Sequence, residues 1–232
     1  MSFCDKKTTS NGNNAQITHP IRTYMLKRVL DVVVSFILLI PTAVFTVFIA
    51  VMIKLSGPGP VIFKQKRIGK DGKEFEFYKF RSMDVNNDDS RHREYIKYFI
   101  EGNEEELRRM QGETKLYKLT DDNRVTPIGR FLRKTSLDEL PQLVNVLRGD
   151  MSMVGPRPHL PYEVDLYKPW HRRRFEGLPG ITGLWQINGR SRVPFDEAVK
   201  MDIYYLENQS LMLDISIILK TIIKALTGMG AC

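Results

Sequence analysis

Two adjacent carboxylates are the side chains in this sequence best suited to chemistry. Asp138 and Glu139 follow Ser136 and Leu137. Pro141 has no N–H, and in a helix its ring would collide with the carbonyl four residues earlier, so Leu137 is predicted to precede the helix. The helix then begins at Asp138 or one residue before it. Both carboxylates fall in its first turn, where the helix dipole favours negative charge.

The rest of this helix is predicted to hold the carboxylates in place. Ser136 and Glu139 fit a capping box, and Gly149 fits the glycine that follows a helix C-terminus. Apolar residues recur at helical spacing and predict one buried face, formed by Leu140, Leu143, Val144 and Leu147. The first turn is then free for chemistry, although capping alone is the commoner role of a Ser-x-x-Glu pattern.

A nearby arginine favours a chemical role for the carboxylates. Arg157 lies between Pro156 and Pro158, on a loop that two fixed φ angles make rigid, shortly after the helix has ended. A rigidly presented guanidinium close to a pair of carboxylates suits a substrate that carries phosphate.

Four motifs in this region resemble those of a known family, the bacterial sugar transferases. These proteins are monotopic phosphoglycosyl transferases that use polyprenyl phosphate. The resemblance covers the chain from about Lys27 to the C-terminus and rests on Ser-Leu-Asp-Glu-Leu-Pro-Gln (136–142), Gly-Asp-Met-Ser (149–152), Gly-Pro-Arg-Pro (155–158) and Pro-Gly-Ile-Thr-Gly-Leu-Trp-Gln (179–186).

The resemblance implies a reaction and a set of site residues. Asp138 is expected to attack the β-phosphate of a UDP-sugar, a hexose such as galactose or glucose, and to release UMP. The phosphate of undecaprenyl phosphate then takes the phosphosugar from the aspartate. Asp138 and Glu139 are expected to hold Mg²⁺, a hard ion that prefers oxygen ligands, and Glu139 could instead handle protons. Phosphate binding is expected from Lys79, Arg133, Arg157 and Arg190.

Composition restricts the partners without choosing one. The chain has 232 residues, of which 42% are hydrophobic and 27% charged, and its formal net charge is +8. This charge favours anionic partners such as lipids, nucleotides or nucleic acid. We expect no nucleic acid, because no basic stripe with interleaved aromatic residues is visible. The two cysteines, Cys4 and Cys232, form no pattern for a disulfide framework or a metal site.

A long apolar run follows the N-terminal tail. Residues 1–20 are polar and are predicted to be disordered, and residues 21–55 are predicted to form a membrane-embedded helix around the apolar run from Val29 to Ile53. Pro41 divides this run into halves of about 12 residues, or about 18 Å each, and both flanks are basic. A re-entrant helix bent at Pro41 satisfies these facts and is what the resemblance implies. Composition alone leaves a spanning helix equally open.

The family's break in this helix is usually a Ser-Pro pair. Here Ile40 precedes the proline, so the hydroxyl of Thr42 or Ser35 would have to satisfy the freed carbonyl.

Residues 56–232 are predicted to form a catalytic domain on the cytoplasmic face of the bacterial inner membrane, of α+β class and mostly helical. A β-hairpin turns at Asp71-Gly72, and 86–118 form an accessory helical segment. Thr126-Pro127 is predicted to begin a helix.

Three further predictions concern the C-terminal part of the chain. They are a short strand over 184–187, an exposed His171, and a C-terminal amphipathic helix that is capped by Asp214 and lies at the membrane interface.

Two other functions remain open from the residues alone. A non-catalytic scaffold docked on anionic lipid would explain the charge and the amphipathic ends, but not the motifs around Asp138 and Arg157. A polyprenyl-diphosphate phosphatase could use similar carboxylates and cations, and the requirement for a nucleotide sugar separates it from a transferase. The oligomeric state is left open.

Overall fold

The computed structural model describes residues 20–84, 89–111, 124–189 and 193–227. Its helices and strands confirm the predicted mostly helical class with little sheet. The elements are α1 (Ile21–Leu55), β1 (Ile62–Ile68), β2 (Glu74–Phe80), α2 (Ser90–Glu101), α3 (Glu104–Gln111), α4 (Pro127–Thr135), α5 (Gln142–Arg148), β3 (Ser152–Val154), α6 (Pro161–Val164), β4 (Gly180–Thr182), α7 (Leu184–Asn188), α8 (Phe195–Glu207) and α9 (Leu211–Thr227).

Helix α1 is long and apolar enough to cross a membrane, and the rest of the fold covers only its ends. Near the N-terminus its buried residues are Lys27, Asp31 and Ser35, and near the C-terminus they are Ile49 and Ile53. The large apolar side chains between these two groups are mostly exposed. The predicted helix is therefore confirmed, continuous through its proline, whereas the bend stays a prediction.

The hydroxyl of Thr42 bonds next to the carbonyl that Pro41 leaves free. Pro41 removes the helical donor of the Ile37 carbonyl, whereas Thr42 Oγ1 donates to the carbonyl of Leu38 at 2.5 Å. The alternative donor, Ser35, instead bonds to Met153 Sδ at 3.6 Å.

The predicted β-hairpin is confirmed. Strands β1 and β2 are antiparallel, with Ile62 opposite Phe80 and Ile68 opposite Glu74. The turn contains Asp71 and Gly72, both at positive φ. A second, parallel pair joins β3 to β4. The strand predicted over 184–187 is wrong, because those residues form α7 and the strand lies just before them.

Apolar side chains from both sheets and several helices form the main core. It contains Phe77, Leu143, Val146, Met151, Met153, Val154, Ile187, Tyr205, Leu206 and Ile217. A smaller cluster packs Ile49 and Ile53 of α1 against Phe80 and Leu132. The domain therefore holds the C-terminal end of α1 directly against the hairpin.

Three peripheral predictions have different outcomes. The accessory segment forms α2 and α3, separated by Gly102 in the left-handed conformation, and its remainder lies outside the described residues, as does nearly all of the N-terminal tail. His171 is fully buried, so its predicted exposure is wrong. Its two ring nitrogens are satisfied there by the Lys168 amide and the Asp196 carboxylate. Asp214 lies inside α9 and bonds to Lys27 instead of capping the helix.

Helix α9 does have an exposed apolar face. Its large exposed side chains are Met212, Ile215, Leu219, Ile222 and Ile223. This pattern fits the predicted interfacial helix, and the contact with a membrane stays a prediction.

Candidate active site

The two carboxylates lie in a tight turn between α4 and α5. Helix α4 begins as predicted, with Thr126 capping the amide of Gly129, and it ends at Ser136, whose φ is 58°. A 3₁₀ turn spans Leu137–Glu139, and α5 begins only at Gln142. The predicted helix start is therefore wrong by about one turn. The predicted capping box is also wrong, since a left-handed Ser136 cannot adopt the extended conformation of an N-cap residue.

Lys79 links the hairpin to both carboxylates. Its Nζ donates to Asp138 Oδ2 at 3.2 Å and to Glu139 Oε1 at 3.4 Å. The side chain of Asp138 is 6% exposed, whereas those of Lys79 and Glu139 are 20% and 23% exposed. Strand β2 therefore brings the predicted lysine to the predicted carboxylates across 59 residues of sequence.

Burial and charge act in opposite directions on Asp138. Burial raises the pKa of this carboxyl above 3.8, and the negative charge of Glu139 raises it further. The positive charges of Lys79 and Arg133 lower the pKa. A carboxylate with little water around it is a stronger nucleophile than a hydrated one, and the positive charges of Lys79 and Arg133 favour its ionised form.

Arg157 reaches the same site from the loop after β3. Its Nη1 lies 3.7 Å from Glu139 Oε1, and a third of the side chain is exposed. The loop is held on both sides, because Gly155 N–H donates to the Thr182 carbonyl at 2.9 Å and Arg67 donates to the Pro158 carbonyl at 3.1 Å. A side chain at Gly155 would meet the backbone carbonyl of Leu178 at 2.3 Å. The arginine is therefore presented from a fixed backbone.

The two other predicted phosphate-binding arginines differ in position. Arg133 on α4 donates to the hydroxyl of Ser82 at 3.1 Å, and its charge acts on Asp138. Arg190 lies outside the described residues. The structure thus brings together Lys79, Asp138, Glu139, Arg133 and Arg157, and their roles stay predictions.

The burial of polar residues on α5 and in the turn before it was missed from the sequence. Asp138, Gln142 and Asn145 are all nearly inaccessible, with 4%, 2% and 0% exposure. The apolar face of α5 is formed by Leu143 and Val146, and Val144 is exposed instead of buried. Gln142 and Asn145 lie three residues apart and so share one side of α5, and Asp138 lies in the 3₁₀ turn before it. The spacing of the two helical residues was the available signal.

The carboxylate pair fits part of a magnesium site. Within the described residues there is no group of three or more His, Cys, Asp or Glu side chains that could hold a metal ion. Mg²⁺ is commonly held by one or two carboxylates, with water and substrate phosphates completing its shell. Asp138 and Glu139 could supply these two carboxylates.

Comparison with known proteins gives a family match over nearly the whole chain. The family model described as "Bacterial sugar transferase" matches residues 22–228. Three similar proteins are the galactosyl transferase CpsE of Streptococcus agalactiae, the undecaprenyl-phosphate galactose phosphotransferase of Salmonella typhimurium, and the exopolysaccharide production protein ExoY of Sinorhizobium fredii.

These relatives differ in length. The chain is 43% identical to the streptococcal protein over 93% of its own length and 46% of that relative. It is 42% identical to the Salmonella protein over 84% of its own length and 39% of that relative. The third match is 40% identical and covers 84% of the chain and 83% of the relative. The chain thus spans less than half of the first two relatives and most of the third.

Proposed function

Since the chain belongs to the bacterial sugar transferase family, we propose that it transfers a sugar phosphate from a UDP-sugar to polyprenyl phosphate. The observation that supports this most directly is the buried Asp138 carboxylate, held by Lys79 and surrounded by the charges of Arg133 and Glu139. A nucleophile among cations suits a diphosphate substrate, whose negative charge must be neutralised during phosphoryl transfer.

The proposed reaction has two phosphoryl-transfer steps at Asp138. In the first, an oxygen of Asp138 forms a bond to the β-phosphorus while the bond from that phosphorus to the bridging oxygen breaks, and UMP leaves with the electron pair. In the second, a phosphate oxygen of polyprenyl phosphate bonds to the same phosphorus and the bond to Asp138 breaks. The products are polyprenyl-diphosphate-sugar and the free aspartate.

The surrounding residues have separate proposed tasks. Lys79 keeps Asp138 ionised and positioned, since it donates to the carboxylate at 3.2 Å. Arg157 binds a phosphate oxygen of the donor from its fixed loop, and Arg133 and Arg190 contribute further positive charge. Mg²⁺, held by Asp138 and Glu139, would neutralise the diphosphate when bound.

The membrane arrangement proposed is a helix that enters and leaves the bilayer on one side. Near the N-terminus of α1, Lys27 donates to the carbonyl of Val154, and near its C-terminus Arg81 donates to the carbonyl of Ile53 at 2.7 Å. Both ends therefore contact one polar domain, which supports a location of both ends on the same side of the bilayer. A spanning helix would place its two ends on opposite sides of the bilayer.

Cysteine labelling tests this arrangement. In a Cys4→Ser, Cys232→Ser background, Arg22→Cys and Ser56→Cys each provide one thiol. In intact spheroplasts of the producing bacterium, a membrane-impermeant maleimide should label neither, and after lysis it should label both. Labelling of one position from outside would establish a spanning helix.

The transfer itself is tested by UMP release. Detergent-solubilised protein is incubated with polyprenyl phosphate, Mg²⁺ and one UDP-sugar at a time, with UDP-galactose and UDP-glucose first, beside Asp138→Asn. Release that requires one sugar, the lipid and Asp138 is the expected result. Turnover by Asp138→Asn near the parent rate would remove the covalent scheme. Absence of release with every sugar, together with binding to anionic vesicles, would favour the scaffold.

A further inference from the structure

One edge of strand β2 is bonded to a side chain rather than to another strand. Strand β1 occupies the opposite edge. On the free edge, Tyr78 N–H donates to Asn145 Oδ1 at 3.1 Å, and Asn145 Nδ2 donates to the Glu76 carbonyl at 2.6 Å. One carboxamide thus satisfies a donor and an acceptor two residues apart, as a neighbouring strand would.

Asn145 also fixes the end of α5. Its Nδ2 lies 3.3 Å from Asp150 Oδ2, and its backbone carbonyl accepts from the amides of Gly149 and Asp150 at 3.1 and 3.0 Å. The side chain is completely buried. Because each of its polar atoms is used, Asn145 holds the strand and the helix in one relative position.

The candidate nucleophile lies one turn before α5. Asp138, in the 3₁₀ turn, and Asn145, near the end of α5, each contact β2. Lys79 follows Tyr78 directly in the strand. The hydrogen bond of Tyr78 to Asn145 and that of Lys79 to Asp138 therefore hold adjacent residues of β2. A shift of the strand at Asn145 would therefore move the lysine relative to the carboxylate.

We propose that Asn145 is a positioning residue of the transferase, which sets the placement of Lys79 against Asp138 through the edge of β2. This inference rests on the proposed function. Asn145 has no contact with substrate in this proposal. It affects turnover only through the position of Lys79.

A double-mutant cycle between Asn145 and Lys79 tests the inference. Asn145→Ala should lower the rate of UMP release about 10²-fold, the loss expected for a reacting group misplaced by about 1 Å. In a Lys79→Met background the same change should cost less than about threefold, because the positioned group is already absent. Equal losses in both backgrounds would overturn the proposal, since they would indicate a general structural role.

The two kinetic constants give an independent reading. Because the proposal gives Asn145 no contact with substrate, Asn145→Ala should lower kcat and leave the KM for the UDP-sugar within about twofold. A raised KM beside an unchanged kcat would count against positioning.

A second variant covers the case in which Asn145→Ala does not fold. Asn145→Ser keeps a small uncharged polar side chain but cannot make both strand bonds of the carboxamide, and should give a smaller loss of kcat. Asn208→Ala is the matched control, because this exposed asparagine also donates to a backbone carbonyl, that of Tyr204 at 2.9 Å. A parent protein that releases no UMP would contradict the proposed function, whereas an active parent with Asn145 variants unchanged would contradict this inference alone.

Discussion

Two lysines in this protein each lie close to a pair of carboxylates. The two clusters differ in how completely neighbouring protein groups surround them. Lys79 donates to Asp138 and Glu139 in the candidate active site. Lys27, in α1, donates to Asp214 at 2.9 Å, and its charge also acts on Asp31. Each cluster combines one lysine with two carboxylates, so we look for the difference between the clusters in the groups around them.

The cluster around Lys27 is saturated. Lys27 also donates to the carbonyl of Val154 and the hydroxyl of Tyr205 at 2.9 and 3.1 Å. Asp214 accepts from Tyr205 at 2.6 Å, and Asp31 accepts from the amide of Met153 at 2.9 Å. Such a cluster has little capacity left for a ligand, so it fastens α1 to the domain.

The cluster around Lys79 is incomplete by comparison. Within the described part of the chain, the Asp138 carboxylate accepts a hydrogen bond from Lys79 alone. Lys79 and Glu139 are also partly exposed. Charged side chains that are partly exposed at a surface can bind a substrate. We therefore expect substitutions in the first cluster to affect folding and those in the second to affect turnover.

The largest expected effect is that of Asp138→Asn on turnover. Loss of the nucleophile should reduce UMP release by a factor on the order of 10⁴ or more. The midpoint of thermal unfolding at neutral pH should stay the same or rise, because burial raises the pKa of Asp138, so its ionised form is disfavoured in the folded protein above that pKa. Asp165→Asn, at an exposed position, is the control. A large fall in the midpoint would assign Asp138 to folding.

Lys27→Met should mainly reduce stability. It leaves two buried carboxylates without their cation, which costs about 3 to 5 kcal/mol in the free energy of unfolding. Urea denaturation in detergent measures the loss, and Lys134→Met, on the exposed side of α4, should change it by less than about 0.5 kcal/mol. If Lys27→Met were as stable as the parent but inactive, the distinction between the clusters would fail.

Lys79→Met should lower turnover and move the pH profile. A fall of about 10²-fold is expected from the loss of a charged partner at the nucleophile. Because burial raises the pKa of Asp138 and the charge of Lys79 lowers it, the acid limb of the variant's rate profile should lie at higher pH than that of the parent. Rates measured from acid to neutral pH check the direction. A limb that moved to lower pH would contradict the assignment of Asp138 as the titrating group.

Arg157→Lys should have the smallest effect. Lysine keeps the charge but loses the planar fork that binds a phosphate with two parallel bonds, so an increase in KM for the UDP-sugar of about tenfold is expected. Arg130→Lys, exposed on α4, should leave KM unchanged. An equal change in both variants would indicate that general positive charge, and not the fixed loop, binds the donor.

Features that depend on near neighbours were predictable. The hairpin at Asp71-Gly72, the start of α4 at Thr126-Pro127 and the end of α5 at Gly149 are all confirmed. Each depends on backbone preferences within a few residues, such as a positive φ or a missing N–H. The predicted start of α5 was wrong because the chain reverses direction after α4. This reversal places Ser136 in the left-handed conformation, which no local sequence pattern indicated.

The sequence by itself determined the family, the helical character of α1 and the residues around which a site could form, because motifs and hydrophobic spacing are local. Only the tertiary structure decided that Lys79 reaches Asp138 across 59 residues, that Asn145 bonds the edge of β2, and that Asp214 fastens α1 instead of capping α9. The physical reason is that a buried polar group needs a partner, and packing, not sequence distance, determines which partner it meets.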